Sequence, residues 1–252
     1  MPEAPRVLVT RAPHQASALA NALRERGFEV VAIPSIAILP PLDGYASLDD
    51  ALQQIRSFDW LIFTSANAVE VFAARHREVG QSLPNSLRIG VIGNATARAA
   101  EDAGFNVELV PQRAVAESLA EELAPHAKGK RMLLVRADEG REILPATLRS
   151  AGADVTLAVA YCTVVAEDSV AALQREVATL DAVTFTSASS AKNLAALMER
   201  AEVSLPENVV LASIGPVTST AMREMGWNRS VEADEASVVS LAEALRRYFA
   251  GR

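Results

Sequence analysis

The chain has 252 residues, half of them hydrophobic and few aromatic, so it can build one or two cores of Ala, Val, Leu and Ile. A net charge of −7 argues against a general nucleic-acid binder, which carries a basic footprint, and no apolar run reaches membrane-spanning length. The single cysteine, Cys162, excludes an internal disulfide framework.

Apolar runs of strand length alternate with helical patterns along the whole chain. Strands are expected near 6–10, 28–33, 59–63, 88–92, 107–110, 131–135, 154–158, 181–185 and 209–214. Helical patterns run from His14 to Arg26, Ala66 to Glu78, Ala95 to Ala103 and Ser189 to Arg200. Gly27, Gly104, Gly152 and Gly226 supply helix stop signals before the strand that follows. This alternation indicates parallel sheets covered by helices, an α/β fold. Pro40-Pro41-Leu42-Asp43-Gly44 reads as a loop, and the acidic stretch Glu232 to Glu235 as a solvated one. No signal peptide precedes the first strand, so a cytoplasmic location is the expectation.

The chain also repeats itself. Asp59-Trp60-Leu61-Ile62-Phe63-Thr64-Ser65-Ala66 recurs as Asp181-Ala182-Val183-Thr184-Phe185-Thr186-Ser187-Ala188, at an offset of 122. Leu83-Pro84, Ile92-Gly93, Thr96, Gly104 and Ser118-Leu119-Ala120-Glu121 all find partners in the same register. A weaker match relates Arg6-Val-Leu-Val-Thr-Arg11 to Arg131-Met-Leu-Leu-Val-Arg136, at an offset of 125. Two similar units imply two domains and a cleft between them. One cut falls near Lys128-Gly129-Lys130. The other runs through Val30 to Leu39 and Val155 to Val165, each too long for one ordinary strand and able to form a paired bridge. Periodicity leaves both open.

In parallel α/β sheets ligands bind beyond the carboxyl ends of the strands, where the repeated turns lie. Thr64-Ser65-Ala66-Asn67 and Thr186-Ser187-Ala188-Ser189-Ser190 open helices, as do Gly93-Asn94-Ala95-Thr96 and Gly215-Pro216-Val217-Thr218. Helix starts present N–H groups and a dipole end that attract carboxylates or phosphates. Simple capping explains any one turn, and four turns on one cleft favour a site. Pro216 fits the first helical position, with Gly215 as cap. His14, His76 and His126 have no metal-ligand spacing, and no Walker or Gly-x-Gly-x-x-Gly motif is present. Cys162 reads as a buried thiol. Asp138-Glu139 reads either as paired carboxylates or as a polar loop. Tyr161 has two readings: a phenol able to donate a proton, or a packed ring with its O–H satisfied.

Together these residues resemble uroporphyrinogen-III synthases. The resemblance is carried by Phe63-Thr-Ser65-Ala-Asn67-Ala-Val69, Ile92-Gly93-Asn94-Ala95-Thr96-Ala97, Arg141-Glu142-Ile143-Leu144-Pro145, Tyr161-Cys-Thr163 and Ile214-Gly215-Pro216-Val217-Thr218. It spans nearly the whole chain. It implies two similar three-layer parallel-sheet domains joined by a two-stranded linker. The first would hold 1–35 and 166–252, the second 39–161, with linker strands near 34–38 and 162–165. It implies a cofactor-independent lyase of tetrapyrrole (haem, sirohaem) synthesis. Such an enzyme cyclises hydroxymethylbilane to uroporphyrinogen III, losing water and inverting the last pyrrole ring. Tyr161 matches the family's tyrosine. Arg11, Ser65, Asn67, Asn94, Thr96, Arg136, Ser187, Ser189, Ser190, Gly215 and Thr218 are the implied substrate contacts, with no metal. The chain departs from a frequent Pro-Arg pattern at Ala66-Asn67, and Val217 replaces a Thr found in some members. A monomer in transient contact with the preceding enzyme of the pathway is the expected partnership, with no nucleic acid or membrane. The rival reading is a cytoplasmic two-domain receptor or sensor for a small polycarboxylate.

Overall fold

A computed structural model describes residues 4–10 and 13–251, without the side chains of 13–17. Arg11, one of the expected contacts, lies outside the described residues, as does the side chain of His14. The chain divides into two compact units, one of Met1–Ala37 with Val164–Arg252 and one of Ile38–Thr163.

The first unit is built on strands β1 (Arg6–Val9), β2 (Glu29–Ala32), β8 (Ala182–Phe185), β9 (Val210–Ser213) and β10 (Val231–Glu232), in the order β10-β9-β8-β1-β2. Every pair is parallel. Side chains alternate across the sheet, so Val7 and Val9 face one layer and Leu8 the other. Val7 and Val9 pack on α1 (Pro13–Arg24) and α10 (Val238–Ala250) through Leu19, Leu23, Leu241 and Leu245. Leu8, Val183 and Phe185 pack on α7 (Val170–Glu176), α8 (Ala188–Ala201) and α9 (Pro216–Glu224) through Leu173, Leu194 and Met222.

The second unit is layered in the same way. Its sheet runs β3-β7-β6-β4-β5, from strands β3 (Ile36–Leu39), β4 (Trp60–Phe63), β5 (Arg88–Val91), β6 (Arg131–Ala137) and β7 (Asp154–Val165). Leu61, Phe63, Leu133 and Val135 face α2 (Ala46–Gln53), α3 (Ala66–Val79) and α4 (Asn94–Asp102). Trp60, Ile62, Met132 and Leu134 face α5 (Ala116–Leu123) and α6 (Ile143–Ser150). Each unit is therefore a three-layer α/β sandwich, as the alternation of patterns predicts.

Three expectations are corrected. The strand near 107–110 is reduced to one bridge, Gly90 to Leu109, because Pro111 brings no N–H to continue a ladder. Its repeat mate at Val231 does form a strand, the short β10, so Glu232 is not part of a solvated loop. Its carboxylate accepts from Ser219 and pairs with Arg229 at 3.2 Å. The run Val155 to Val165 is one strand after all, lengthened by a bulge, whereas Val30 to Leu39 is broken into β2 and β3 around Pro34.

The end of α1 is tied to α10 through charge. Arg246 first, then Arg26, hydrogen-bond the Glu243 carboxylate and hold its pKa at about 2 against an ordinary 4.5. A carboxyl with a depressed folded-state pKa stabilises the fold above its ordinary value, and that contribution is lost as pH falls through the folded one. Glu243→Gln is expected to lower the urea midpoint at pH 7, with the gap closing as pH drops towards 2. Equal midpoints at pH 7 would show that the pair does not help dock α10.

Candidate functional site

Strands β4, β5 and β6 end at one edge of the second sheet, where the chain turns into α3 and α4. Ser65 is the N-cap of α3, and its Oγ accepts from the N–H of Ala68 at 3.1 Å. The same Oγ is hydrogen-bonded to the phenol oxygen of Tyr161 at 3.0 Å. Tyr161 is 7% exposed and its ring belongs to the apolar layer beneath α3.

A bulge places it there. Arg136 faces Val159 across the β6–β7 ladder, but Ala137 faces Tyr161, so Ala160 is an extra residue on β7. Such an insertion is rare between parallel strands and re-aims the side chains after it. Without it, alternation would put Tyr161 on the face opposite Ala158 and Ala160. With it, all three share one core. The bulge is held from both sides. The N–H of Val159 donates to Ser47 Oγ at 3.1 Å, and the N–H of Asp138 donates to the Tyr161 carbonyl at 3.0 Å. The Ser47 hydroxyl in turn donates to Asp43, and that bond is the first cause holding the Asp43 carboxyl below the usual range. Asp43 and Ser47 were missed in the sequence. Asp43 sat in a segment read only as a loop, and their link to Tyr161 is long-range.

The other turns divide into two kinds. Ser187 caps α8 reciprocally with Ser190: each backbone N–H donates to the other's hydroxyl, at 3.0 and 3.1 Å. Ser189 adds a hydroxyl contact to Ser187 at 3.0 Å. Gly93 and Gly215, by contrast, cap α4 and α9 with no side-chain bond, and Pro216 follows Gly215 at the first helical position, as expected. The helix starts after the glycines are therefore the ones whose N–H groups no capping side chain covers. Asn94 is exposed there, while Thr96 and Thr218 are each only 4% exposed. Asn67 is half-buried on the first turn of α3.

Arg136, at the end of β6, donates from Nη2 to Glu142 at 2.7 Å and from Nη1 to the Arg141 carbonyl at 3.2 Å. It lines a pocket of about 290 Å³ that lies wholly within this unit. The Asp138 carboxylate accepts from the Glu139 and Thr163 N–H groups, in keeping with the polar-loop reading. The Cys162 thiol donates to Asp138, and this bond, ahead of burial, pushes the thiol pKa up. Among the described residues no three His, Cys, Asp or Glu side chains come together as a metal site. Among them, too, no helix is long and apolar enough to cross a membrane.

The family described as uroporphyrinogen-III synthase HemD matches residues 17–243. The chain belongs to the uroporphyrinogen-III synthase family. It is 34% identical to the uroporphyrinogen-III synthase of Synechococcus elongatus, over 96% of this chain and 94% of that one. It is 29% identical to that of Chlorobaculum parvum, over 95% and 97%. Among solved structures, the synthase of Thermus thermophilus aligns with a TM-score of 0.67 at 21% identity, covering 99% of this chain and all of the other. That of Helicobacter pylori aligns at 0.61 and 22%, with the same coverage. These likenesses to solved structures show the two-domain α/β fold, and the family match sets the receptor reading aside.

The bulge generates a prediction of its own. Ser47→Ala leaves the Val159 N–H without its acceptor and is expected to cost about 1 kcal/mol of stability, read from urea unfolding. An unchanged midpoint would mean that the bulge does not lean on Ser47.

Proposed function

We propose that the chain cyclises hydroxymethylbilane to uroporphyrinogen III, with Tyr161 as proton donor and Ser65 as the group that orients it. Family membership supports the reaction, and the Tyr161–Ser65 hydroxyl pair is the observation that carries the assignment of roles.

The donor inventory sets how the pair works. A phenol has one hydrogen, and giving it to the substrate requires that it not be given to Ser65. Ser65 must then donate to the Tyr161 oxygen. Its Oγ is suited to this, since it already accepts from the Ala68 N–H and that bond polarises its own O–H. The carbon–oxygen bond of the substrate's hydroxymethyl group breaks, its hydroxyl takes the phenol proton, and water leaves. The remaining azafulvene cation faces a phenolate that Ser65 stabilises. Attack by the terminal ring through its substituted carbon gives the spiro intermediate. Cleavage and reclosure at the other ring position invert that ring, and the proton then lost restores both the aromatic ring and the phenol. Hydroxymethylbilane is thus balanced by uroporphyrinogen III and one water, with no redox change and no cofactor.

Much of the reactivity belongs to the substrate, which closes without inversion in water. The protein's task is to hold a folded conformer. The uncapped helix starts after Gly93 and Gly215, with Asn94, Thr96 and Thr218 on them, offer N–H groups to the acetate and propionate arms. Asn67, Ser187, Ser189 and Ser190 on the serine turns are proposed as further contacts.

Purified protein given hydroxymethylbilane is expected to yield the type III isomer, and type I alone, as in an enzyme-free control, would refute the proposal. Tyr161→Phe is expected to slow turnover by up to ~10²–10⁴-fold with little change in KM. Ser65→Ala is expected to slow turnover less and to lower stability by about 1 kcal/mol through the lost cap. Turnover at the parent rate in the Phe variant would take Tyr161 out of the chemistry.

A further inference from the structure

The pocket over the ends of β4, β5 and β6 has a chemistry that the proton-transfer pair does not explain. Its interior is apolar, formed by Ile92, Leu134 and Leu144, and its rim carries Val115 and Arg141. Arg136 forms one wall, and among the described residues no carboxylate lines the cavity, although the chain as a whole is acidic.

Arg136 is built into place. Its side chain is only 11% exposed, and its guanidinium lies so close to Gly140 that a Cβ there would meet Arg136 Cδ at 2.8 Å and Nη1 at 2.9 Å. Among the described residues it uses two of its five N–H donors, on Glu142 and the Arg141 carbonyl. Glu142 is 66% exposed, so its carboxylate can swing into water when another replaces it. A second close approach shapes the mouth: a Cβ on Gly93 would meet Ala114 Cβ at 2.7 Å, so the 114–116 segment rests directly on the start of α4.

Size narrows the occupant. Pockets that enclose drug-sized ligands begin at about 300 Å³. At about 290 Å³ this one has room for a single small ring with one arm, not for a tetrapyrrole. Apolar walls with the Arg136 guanidinium in one of them, and Arg141 on the rim, select an apolar body carrying a carboxylate. Resting on the function above, we infer that this pocket seats one pyrrole ring of the substrate, with one of its carboxylate arms on Arg136.

The test uses three variants. Val115→Trp blocks the mouth from a position that is 39% exposed and forms no side-chain cap, so the fold can tolerate it. Arg136→Gln removes the charge, and Gly140→Ala pushes the guanidinium aside. With hydroxymethylbilane, the first two are expected to raise KM by about tenfold to a hundredfold or to raise the share of type I product, the alanine variant doing the same more weakly. A monopyrrole bearing one acetate and one propionate arm is expected to shift the Val115, Ala116 and Gly140 amide resonances of the parent, and not those of Val115→Trp. Parent kinetics and isomer ratio in folded Val115→Trp and Arg136→Gln, or the absence of those amide shifts in the parent, would overturn the pocket assignment. A parent that shows the shifts but makes no type III product would overturn the function while leaving the pocket standing.

Discussion

One extra residue in the β6–β7 ladder decides which side chains meet beneath α3 in the second unit. Parallel ladders impose strict alternation, and a chain that obeyed it past Arg136 would turn the Tyr161 ring away from α3. Ala160 breaks the alternation once. The cost is a disrupted ladder, and it is offset locally: Ser47 receives the Val159 N–H and the Tyr161 carbonyl receives the Asp138 N–H. The phenol thereby meets Ser65, which already caps α3. A backbone irregularity, a helix cap and a candidate proton donor are thus one hydrogen-bonded system.

The two units show how a duplicated turn is put to different ends. Ser65 and Ser187 occupy equivalent positions and have nearly identical extended backbones, and each accepts the N–H three residues on. The second contact differs. Ser65 meets a tyrosine from a distant strand, whereas Ser187 meets Ser189 from its own helix. The local geometry is copied, and the chemistry comes from what the rest of each unit brings to it.

Arginine usage follows the same division. Most guanidinium groups with described partners are surface ion pairs such as Arg88 with Glu108 and Arg200 with Glu167, which contribute little individually. Arg136 differs in its burial and in its seat against Gly140. Its partner Glu142 bonds it at 2.7 Å from an exposed position, while the guanidinium itself lies against the pocket wall.

Short-range patterns in the sequence sufficed for the α/β class, the two similar units, the helix starts at Ser65, Gly93, Ser187 and Gly215 and the stops at Gly104 and Gly226, because apolar periodicity, capping and left-handed glycines act within a few residues. The position of Tyr161 beside Ser65 is a contact across 96 residues, and the bulge that makes it has no local signature in Ala158-Val-Ala-Tyr. The difference between 107–110, reduced to one bridge, and its repeat mate Val231 is by contrast local: Pro111 has no N–H, whereas Ala233 at the matching place donates to the Ser213 carbonyl. The pocket at Arg136 is assembled from three strand ends and two helices, and neither Gly140 nor Ala114 is informative until folding brings each against its neighbour. Local sequence determines which elements form and where they begin. Only the tertiary structure decides which side chains meet at their ends, because register and close approach are set by packing between segments far apart in the chain.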